Sequence, residues 1–372
     1  MKITSVETIE LSHRLNRPTG PASVLNETRS TLIVRIATDE GLIGWGETSP
    51  LDGVRETIMG TYANALRGRD PLDAGRVWRT PWLAPFESGL AAGAVDIALH
   101  DLRGKALGVP INRLYGGGLR TSVQAYASGL CYFKDVDPAD QWMDEALGLV
   151  ARGFRAIKMR IGRFPPAHEV PLVARVREAL PPDVRLMVDA WGSYTLPTAL
   201  RVGRELQELG VYWYEEPLPQ AGYHGYEVLA ANLDMAIAGG EMLQTRAAFK
   251  ELLDRRAVDI VQPDVSICGG IADLLFVAEL ARLSGIQAIP HSWNGAITEA
   301  ASLHIASLLP DPTLMPGVEA PLLEYDTTEN PFIEGGLREP FRMHDGRIDV
   351  PTGPGLGIEL DEEWLEGHAV ER

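Results

Sequence analysis

The stretch VRLMVDAWGSYTLPTALRVGRELQELGVYWYEEPLPQAGYHGYEVLAANLDMAIAGGE, residues 184–241, decides the fold. Three short apolar runs within it each end on an acid: Asp189, Glu215 and Glu241. Their gaps are equal, 215 − 189 = 26 and 241 − 215 = 26. Helix-length amphipathic segments lie between them, such as PTALRVGRELQELG, which closes on Gly210. A strand followed by such a helix is one βα unit, so equal gaps predict three neighbouring parallel strands carrying their carboxylates at the same end. Three carboxylates at one spot repel each other unless a divalent cation sits among them. A set of oxygen ligands without His or Cys points to Mg²⁺ rather than Zn²⁺.

The same texture extends both ways. VQAYASG and FRAIKMRIG precede the stretch, while VDIVQPD, IQAIPHS and a last run near LMPGVEAPLLEYD follow it. Asp137-Pro138 begins a helix whose buried stripe is read as Trp142, Leu147 and Val150. About eight parallel strands with right-handed crossovers close most economically into a (β/α) barrel, a modified TIM barrel, over residues 121–325. Residues 1–120 read as an α+β capping domain. Its strands alternate at Ile3, Val6 and Leu11 and through Leu32, Val34 and Ile36, with a hairpin between TLIVRIA and LIGWGE. Helices follow over ETIMGTYANALRG and SGLAAGAVDIALHDLRGKALG. Two polar, Gly- and Pro-containing loops, 16–30 and 48–56, are candidates for a lid. Residues 326–372 hold short strands around Asp345-Gly346 that are expected to return to the capping domain.

At 372 residues, 45% of them hydrophobic and 23% charged, the chain is suited to a soluble barrel with a smaller second unit. A net charge of −17 argues against nucleic acid or an anionic membrane as partner, though not against a small carboxylate substrate. Cys131 and Cys268 suit a reduced cytoplasm better than a disulfide scaffold. Neither a signal peptide nor a membrane span is visible.

In a barrel the reactive groups gather at the C-terminal strand ends. Lys158 and Arg160 end the second strand at i, i+2 and so share the interior face, Asp264 ends the sixth, His291 the seventh, and Glu324 lies near the end of the eighth. Each has a bland alternative. Interior Lys, Arg and Glu can form a structural ion-pair layer, and a lone histidine is more often a satisfied core residue. Glu216 points away from Glu215 and reads as a supporting or interface group, the Gly pairs 239–240 and 269–270 as close-packing sites, and Trp191, Tyr212 and Trp213 as core. The bland reading does not account for their joint occurrence at successive strand ends.

With these residues in place the chain resembles the mandelate racemase and muconate lactonizing enzyme branch of the enolase superfamily. GWGE, ALHDLRGKALGVPINRLYGG, KMRIG, MVDA, YEEPLP, GGE, QPD, PHSW, LEYD and GPGLGIEL carry the resemblance over nearly the whole chain. It implies a (β/α)7β barrel capped by an α+β domain built from both termini. Asp189, Glu215 and Glu241 would bind Mg²⁺, which holds a substrate carboxylate while the neighbouring α proton is removed; Asp264 and His291 would form a dyad. Glu324 would hydrogen-bond the enediolate oxygen and Lys158 neutralise carboxylate charge. An α proton is accessible only when the enediolate oxygens are stabilised by a cation.

Three positions depart from common family patterns. Where some members place a second lysine as base, this chain has Arg160, a poor base and a good anion clamp. Trp191 stands where many relatives have Asn, and Ile267 replaces a lysine of cycloisomerase-like members of the muconate type. The resulting expectation is a Mg²⁺-dependent lyase, a sugar-acid dehydratase acting on an aldonate or aldarate, with His291 working on one face. The alternatives are a sugar-lactone cycloisomerase or racemase, favoured by the likeness of the LREP and GPGLGIEL tail, and a catalytically silent carboxylate-binding barrel. Relatives commonly assemble as dimers or octamers, so a homo-oligomer is expected.

Overall fold

The structure, a computed structural model, describes residues 1–73, 88–311 and 321–370. The chain opens with β1 (Ile3–Gly20), β2 (Asn26–Thr38) and β3 (Ile43–Thr48), an antiparallel meander as expected from the alternation. A helical run over 54–66, with a π turn at Ile58–Tyr62, leads toward α1 (Gly89–Leu107). Ile3, Val6, Leu32, Val34 and Ile36 of the sheet bury against Leu90, Val95 and Leu99 of α1.

Close approach of α1 to β3 explains why GWGE is spelled with glycine. A Cβ on Gly46 would stand 1.8 Å from the carbonyl oxygen of Ala94, a backbone atom that cannot swing aside. Gly46→Ala is therefore expected to destabilise the protein by about 3 kcal/mol, at the upper end for overpacking, and to lower the urea midpoint accordingly. An unchanged midpoint would show that the two elements can separate freely. Asp101 of α1 ties three motifs together: its carboxylate accepts from the Trp45 amide at 3.0 Å, from Lys105 Nζ at 2.6 Å and from the Leu356 amide of GPGLGIEL at 2.9 Å.

The barrel follows. Its strands are β4 (Ser122–Ser128), β6 (Ala156–Arg160), β7 (Arg185–Asp189), β8 (Trp213–Glu215), β9 (Ala236–Gly239), β10 (Ile260–Val261), β11 (Gln287–Ala288) and β12 (Leu322–Asp326). Between them run seven helices: α2 (Trp142–Ala151), α3 (Pro166–Ala179), α4 (Leu196–Glu208), α5 (Tyr223–Asn232), α6 (Arg246–Asp254), α7 (Ile271–Leu283) and α8 (Ala296–Leu308). Neighbouring strands pair in parallel from β4 through β11, and β12 pairs in parallel with β4, so the last strand lies beside the first. This is the (β/α)7β order.

Strand alternation then builds the interior in layers. Tyr126, Ala156, Met187, Trp213, Ala238, Ile260, Ile289 and Leu322 form one buried apolar cluster. Two residues further along, the same inward face carries Ser128, Lys158, Asp189, Glu215, Gly240, Gln262, His291 and Glu324. The apolar plug is thus the floor on which a polar layer stands.

Three expectations are corrected. The segment 16–30 is mostly strand: β1 runs to Gly20, β2 starts at Asn26, and Thr19 and Gly20 pair with β5 (Tyr132–Phe133). A register shift between Arg14 and Thr19 accommodates Pro18 without a ladder N–H, which is how a polar, proline-bearing segment stays extended. In α2 the buried positions are Trp142, Ala146 and Leu149, whereas Leu147 is 44% exposed. Spacings of four and seven residues share a helix face and a spacing of five does not. The tail hairpin, β13 (Met343–His344) and β14 (Arg347–Asp349), adds antiparallel to β4 rather than to the capping sheet. Elsewhere the tail does reach the cap: α9 (Glu362–His368) packs on β1, Leu11 bridges to Ala369, and Glu329 accepts from Asn16 Nδ2 at 2.7 Å. The last barrel strand, expected near LMPGVEAPLLEYD, is Leu322–Asp326, and residues 314–320 of that stretch lie outside the described residues. Cys131 and Cys268 are buried thiols, and no described helix is long and apolar enough to cross a membrane.

On α8, His304 is fully buried and donates Nε2–H to the Leu356 carbonyl at 3.1 Å. Burial pulls its pKa down to about 4. The unfolded chain takes up this proton below the ordinary histidine value of about 6.5, and the folded chain only near 4, so stability falls as pH drops through that window. The loss is about 3 kcal/mol. Unfolding free energies of wild type and His304→Gln, measured from pH 7 to 4, should therefore converge by roughly that amount; parallel curves would contradict the assignment.

Candidate active site at the C-terminal ends of the barrel strands

Asp189 and Glu215 are the final residues of β7 and β8, and Glu241 follows β9 by two residues. One carboxylate oxygen from each lies within 4.8 Å of the others, and all three side chains are buried. Their neighbours differ. Asp189 Oδ1 accepts from the Trp191 amide at 2.8 Å, while Oδ2 meets Arg160 Nη1. Glu215 Oε2 accepts from Trp213 Nε1 at 2.9 Å and Gln262 Nε2 at 2.7 Å, and its Oε1 pairs with Lys158. Glu241 Oε2 accepts no hydrogen bond although it is buried, and burial raises the pKa of that carboxyl. A buried acceptor without a donor is costly unless a cation satisfies it. An oxygen cage of this size, with Mg–O distances of about 2.1 Å in view, fits a small hard divalent ion.

Cationic groups face the trio, as the i, i+2 spacing predicted. Lys158 Nζ stands 2.8 Å from Glu324 Oε1 and 3.8 Å from Asp189 Oδ2. Burial lowers its pKa, but Glu215 and Glu324 outweigh this and hold it raised. Arg160 also donates to Ser128 Oγ at 3.3 Å and lies 4.9 Å from the centroid of the Trp293 ring. The nearby carboxylates override burial and push its pKa up as well. Both cations thus sit in ion pairs with the strand-end carboxylates.

His291 completes the ring of strand ends. Its Nδ1 is 2.8 Å from Asp264 Oδ2, and its Nε2 stands 3.3 Å from Glu241 and 3.6 Å from Glu324. Burial pulls the imidazole pKa down, yet Glu241, Glu324 and the Asp264 hydrogen bond together push it up to about 10. Burial works in the opposite direction on Glu324, and Lys158, His291 and Arg160 pull that carboxyl well below the usual range. As it stands Glu324 accepts hydrogen bonds, including one from the Ser292 amide at 3.3 Å.

All eight residues singled out from the sequence therefore meet at one end of the barrel. Others were missed. Trp213, read as core, is fully buried and also orients Glu215, and Gln262 does the same from β10's end. Both sit two residues from an acid on the same strand face, Trp213 before Glu215 and Gln262 before Asp264, and that spacing was the available signal. Glu216 faces away, accepts from Gln220 and the Gly240 amide, and so fixes the backbone that carries Glu241. Burial and then Glu241 push its pKa up to about 8.

Comparison with known proteins shows the family. Residues 141–364 match the family described as Enolase C-terminal domain-like, and residues 3–116 match the Mandelate racemase / muconate lactonizing enzyme N-terminal domain. The chain is 37% identical to D-galactarolactone cycloisomerase of Agrobacterium fabrum over 98% of both chains. It is 32% identical to arabinonate dehydratase of Saccharolobus solfataricus over 89% of this chain and 88% of the other. Among solved structures, the 3,6-anhydro-D-galactonate cycloisomerase of Zobellia galactanivorans superimposes with a TM-score of 0.88 at 29% identity over the whole of both chains. An L-talarate/galactarate dehydratase mutant, liganded with Mg and L-glucarate, does so with a TM-score of 0.86 at 28% identity, covering 100% of this chain and 92% of that one. Two domain matches that together span most of the sequence, a relative above 30% identity along nearly its full length, and a shared barrel place this chain in the mandelate racemase/muconate lactonizing enzyme branch of the enolase superfamily.

Proposed function

We propose that the protein is a Mg²⁺-dependent dehydratase of a sugar acid, an aldonate or aldarate, converting it to a 2-keto-3-deoxy acid by β-elimination. One observation carries the reading: His291 Nε2 faces Glu241 and Glu324 while Nδ1 is tied to Asp264, so the free nitrogen is aimed at the carboxylate trio. Asp189, Glu215 and Glu241 would hold the ion, which when bound supplies positive charge for the enediolate oxygens. Lys158 and Arg160, held protonated, bind and neutralise substrate carboxylate.

Lys158 and Arg160, ion-paired with the carboxylates, serve as charge clamps, and His291 does both transfers on one face. The α C–H bond breaks and its proton passes to Nε2, the Cβ–O bond breaks, and the same proton leaves with that oxygen as water. The enol left behind ketonises. Asp264 keeps the ring in the orientation that exposes Nε2 throughout.

A second reading differs only in the leaving oxygen. If it belongs to a ring, the reaction is a lactone cycloisomerisation and no water is lost; the 37% identity to D-galactarolactone cycloisomerase favours it. Aldonic and aldaric acids and their lactones, incubated with enzyme and Mg²⁺, separate the two. A 2-keto-3-deoxy acid formed from an open acid supports dehydration, an isomer of equal mass formed from a lactone supports cycloisomerisation, and no conversion of any member opposes both.

A further inference from the structure

We infer that Ser266 and Asn294 are positioning residues that hold the Asp264 carboxylate from the capping domain; this rests on the proton-transfer role proposed above for His291. Four side chains form an unbroken line of hydrogen bonds. Ser49 Oγ of the cap donates to Asn294 Oδ1 at 3.2 Å, Asn294 Nδ2 donates to Ser266 Oγ at 2.7 Å, and Ser266 Oγ donates to Asp264 Oδ1 at 2.6 Å. Asp264 Oδ2 then meets His291 Nδ1 at 2.8 Å. Each hydroxyl has one proton, and this order uses every donor once, with no conflict of direction. Such chains polarise cooperatively.

The backbone beneath Ser266 is gripped from the same side. Thr48 Oγ1 of the cap donates to the Ser266 carbonyl at 2.9 Å. Helix α1 presses on that carbonyl too, since a Cβ on Gly93 would lie 2.7 Å from it. Thr48, Asp264 and Ser266 are fully buried, so the bonds among them are shielded from bulk water, while Ser49 and Asn294 are part-buried. The Ser266 amide also donates to Asp264 Oδ1 at 2.7 Å, a bond any tight turn could supply. What a turn does not supply is a second donor fixed by an amide from the next strand's loop, itself fixed by the cap. Rotation of the Asp264 carboxylate turns the His291 ring, so the cap residues 48 and 49 set the direction of Nε2 without touching substrate.

Ser266→Ala and Asn294→Ala in the full chain test this, with the sugar acid that wild type converts. Ser266→Ala should lower kcat by about 10- to 100-fold, and Asn294→Ala by less, with KM, Mg²⁺ affinity and Tm near wild type. A second readout needs no substrate: the His291 Nδ1 proton resonance, identified by its loss in His291→Asn, should move in both variants. Unchanged kcat with an unmoved resonance overturns the proposal, as does a kcat loss that only tracks a fall in Tm and Mg²⁺ affinity. A resonance moved in both variants, when wild type converts no sugar acid, supports the positioning and refutes the role given to His291, so the two failures are distinguishable.

Discussion

His291→Asn is expected to lower kcat by about 10²- to 10⁴-fold, the range that one general acid–base residue contributes. The side chain of asparagine can still donate to Asp264 but moves no proton between carbon and oxygen. In the proposed reaction Lys158 and Arg160, tied to carboxylates, are charge clamps, so no second group is expected to take over. Mg²⁺ affinity should survive, since the carboxylate trio is untouched. Steady-state kinetics with calorimetric Mg²⁺ titration of the same sample checks both halves. A variant with wild-type kcat would make His291 a satisfied core histidine and nothing more.

Glu241→Gln should weaken Mg²⁺ binding by about 100-fold or more and abolish turnover at ordinary Mg²⁺ concentrations. Of the three acids Glu241 is the one with a buried oxygen that has no hydrogen-bond donor, with His291 Nε2 as an ion-pair neighbour at 3.3 Å, so a cation would give that oxygen the partner it lacks. The same substitution removes a carboxylate that holds His291 up at about 10. Mg²⁺ entering beside His291 disfavours the imidazolium and expels its proton, so binding to wild type near pH 8 should release protons. Titration in two buffers of different ionisation enthalpy reads that release directly, and it should be smaller in Glu241→Gln. Equal affinity and equal proton release in the two proteins would remove Glu241 from the metal site.

Much of this site was legible because a barrel converts linear spacing into geometry. Equal gaps of 26 residues placed Asp189, Glu215 and Glu241 side by side, and the two-residue period put Lys158 and Arg160 on the inner face. Both follow from local rules that hold whatever the rest of the chain does. The dyad was less legible, since Asp264 and His291 come from β10 and β11, each only two residues long before the chain turns. Their pairing came from resemblance rather than from pattern.

Ser266, Asn294 and Gln262 went unread because their roles depend on partners from other elements, which no local period encodes. The segment 16–30 failed for a related reason. Its composition is that of a loop, but pairing with β2 and with Tyr132 and Phe133 satisfies the backbone and overrides propensity. The tail hairpin was recognised from Asp345-Gly346, and its partner strand was not, because a turn signal fixes a hairpin's register and says nothing about which sheet edge it joins.

In the proposed reaction three strand-end carboxylates, with a cation between them, let His291 remove a proton from carbon. Following the label in a sugar acid deuterated at the α carbon tests it most directly. With Mg²⁺ present, wild type should form product from which the α deuterium is gone, and neither EDTA-treated enzyme nor Glu241→Gln should do so. Deuterium carried to C3 of the product rather than released to solvent water, or released equally fast without Mg²⁺, would contradict the account.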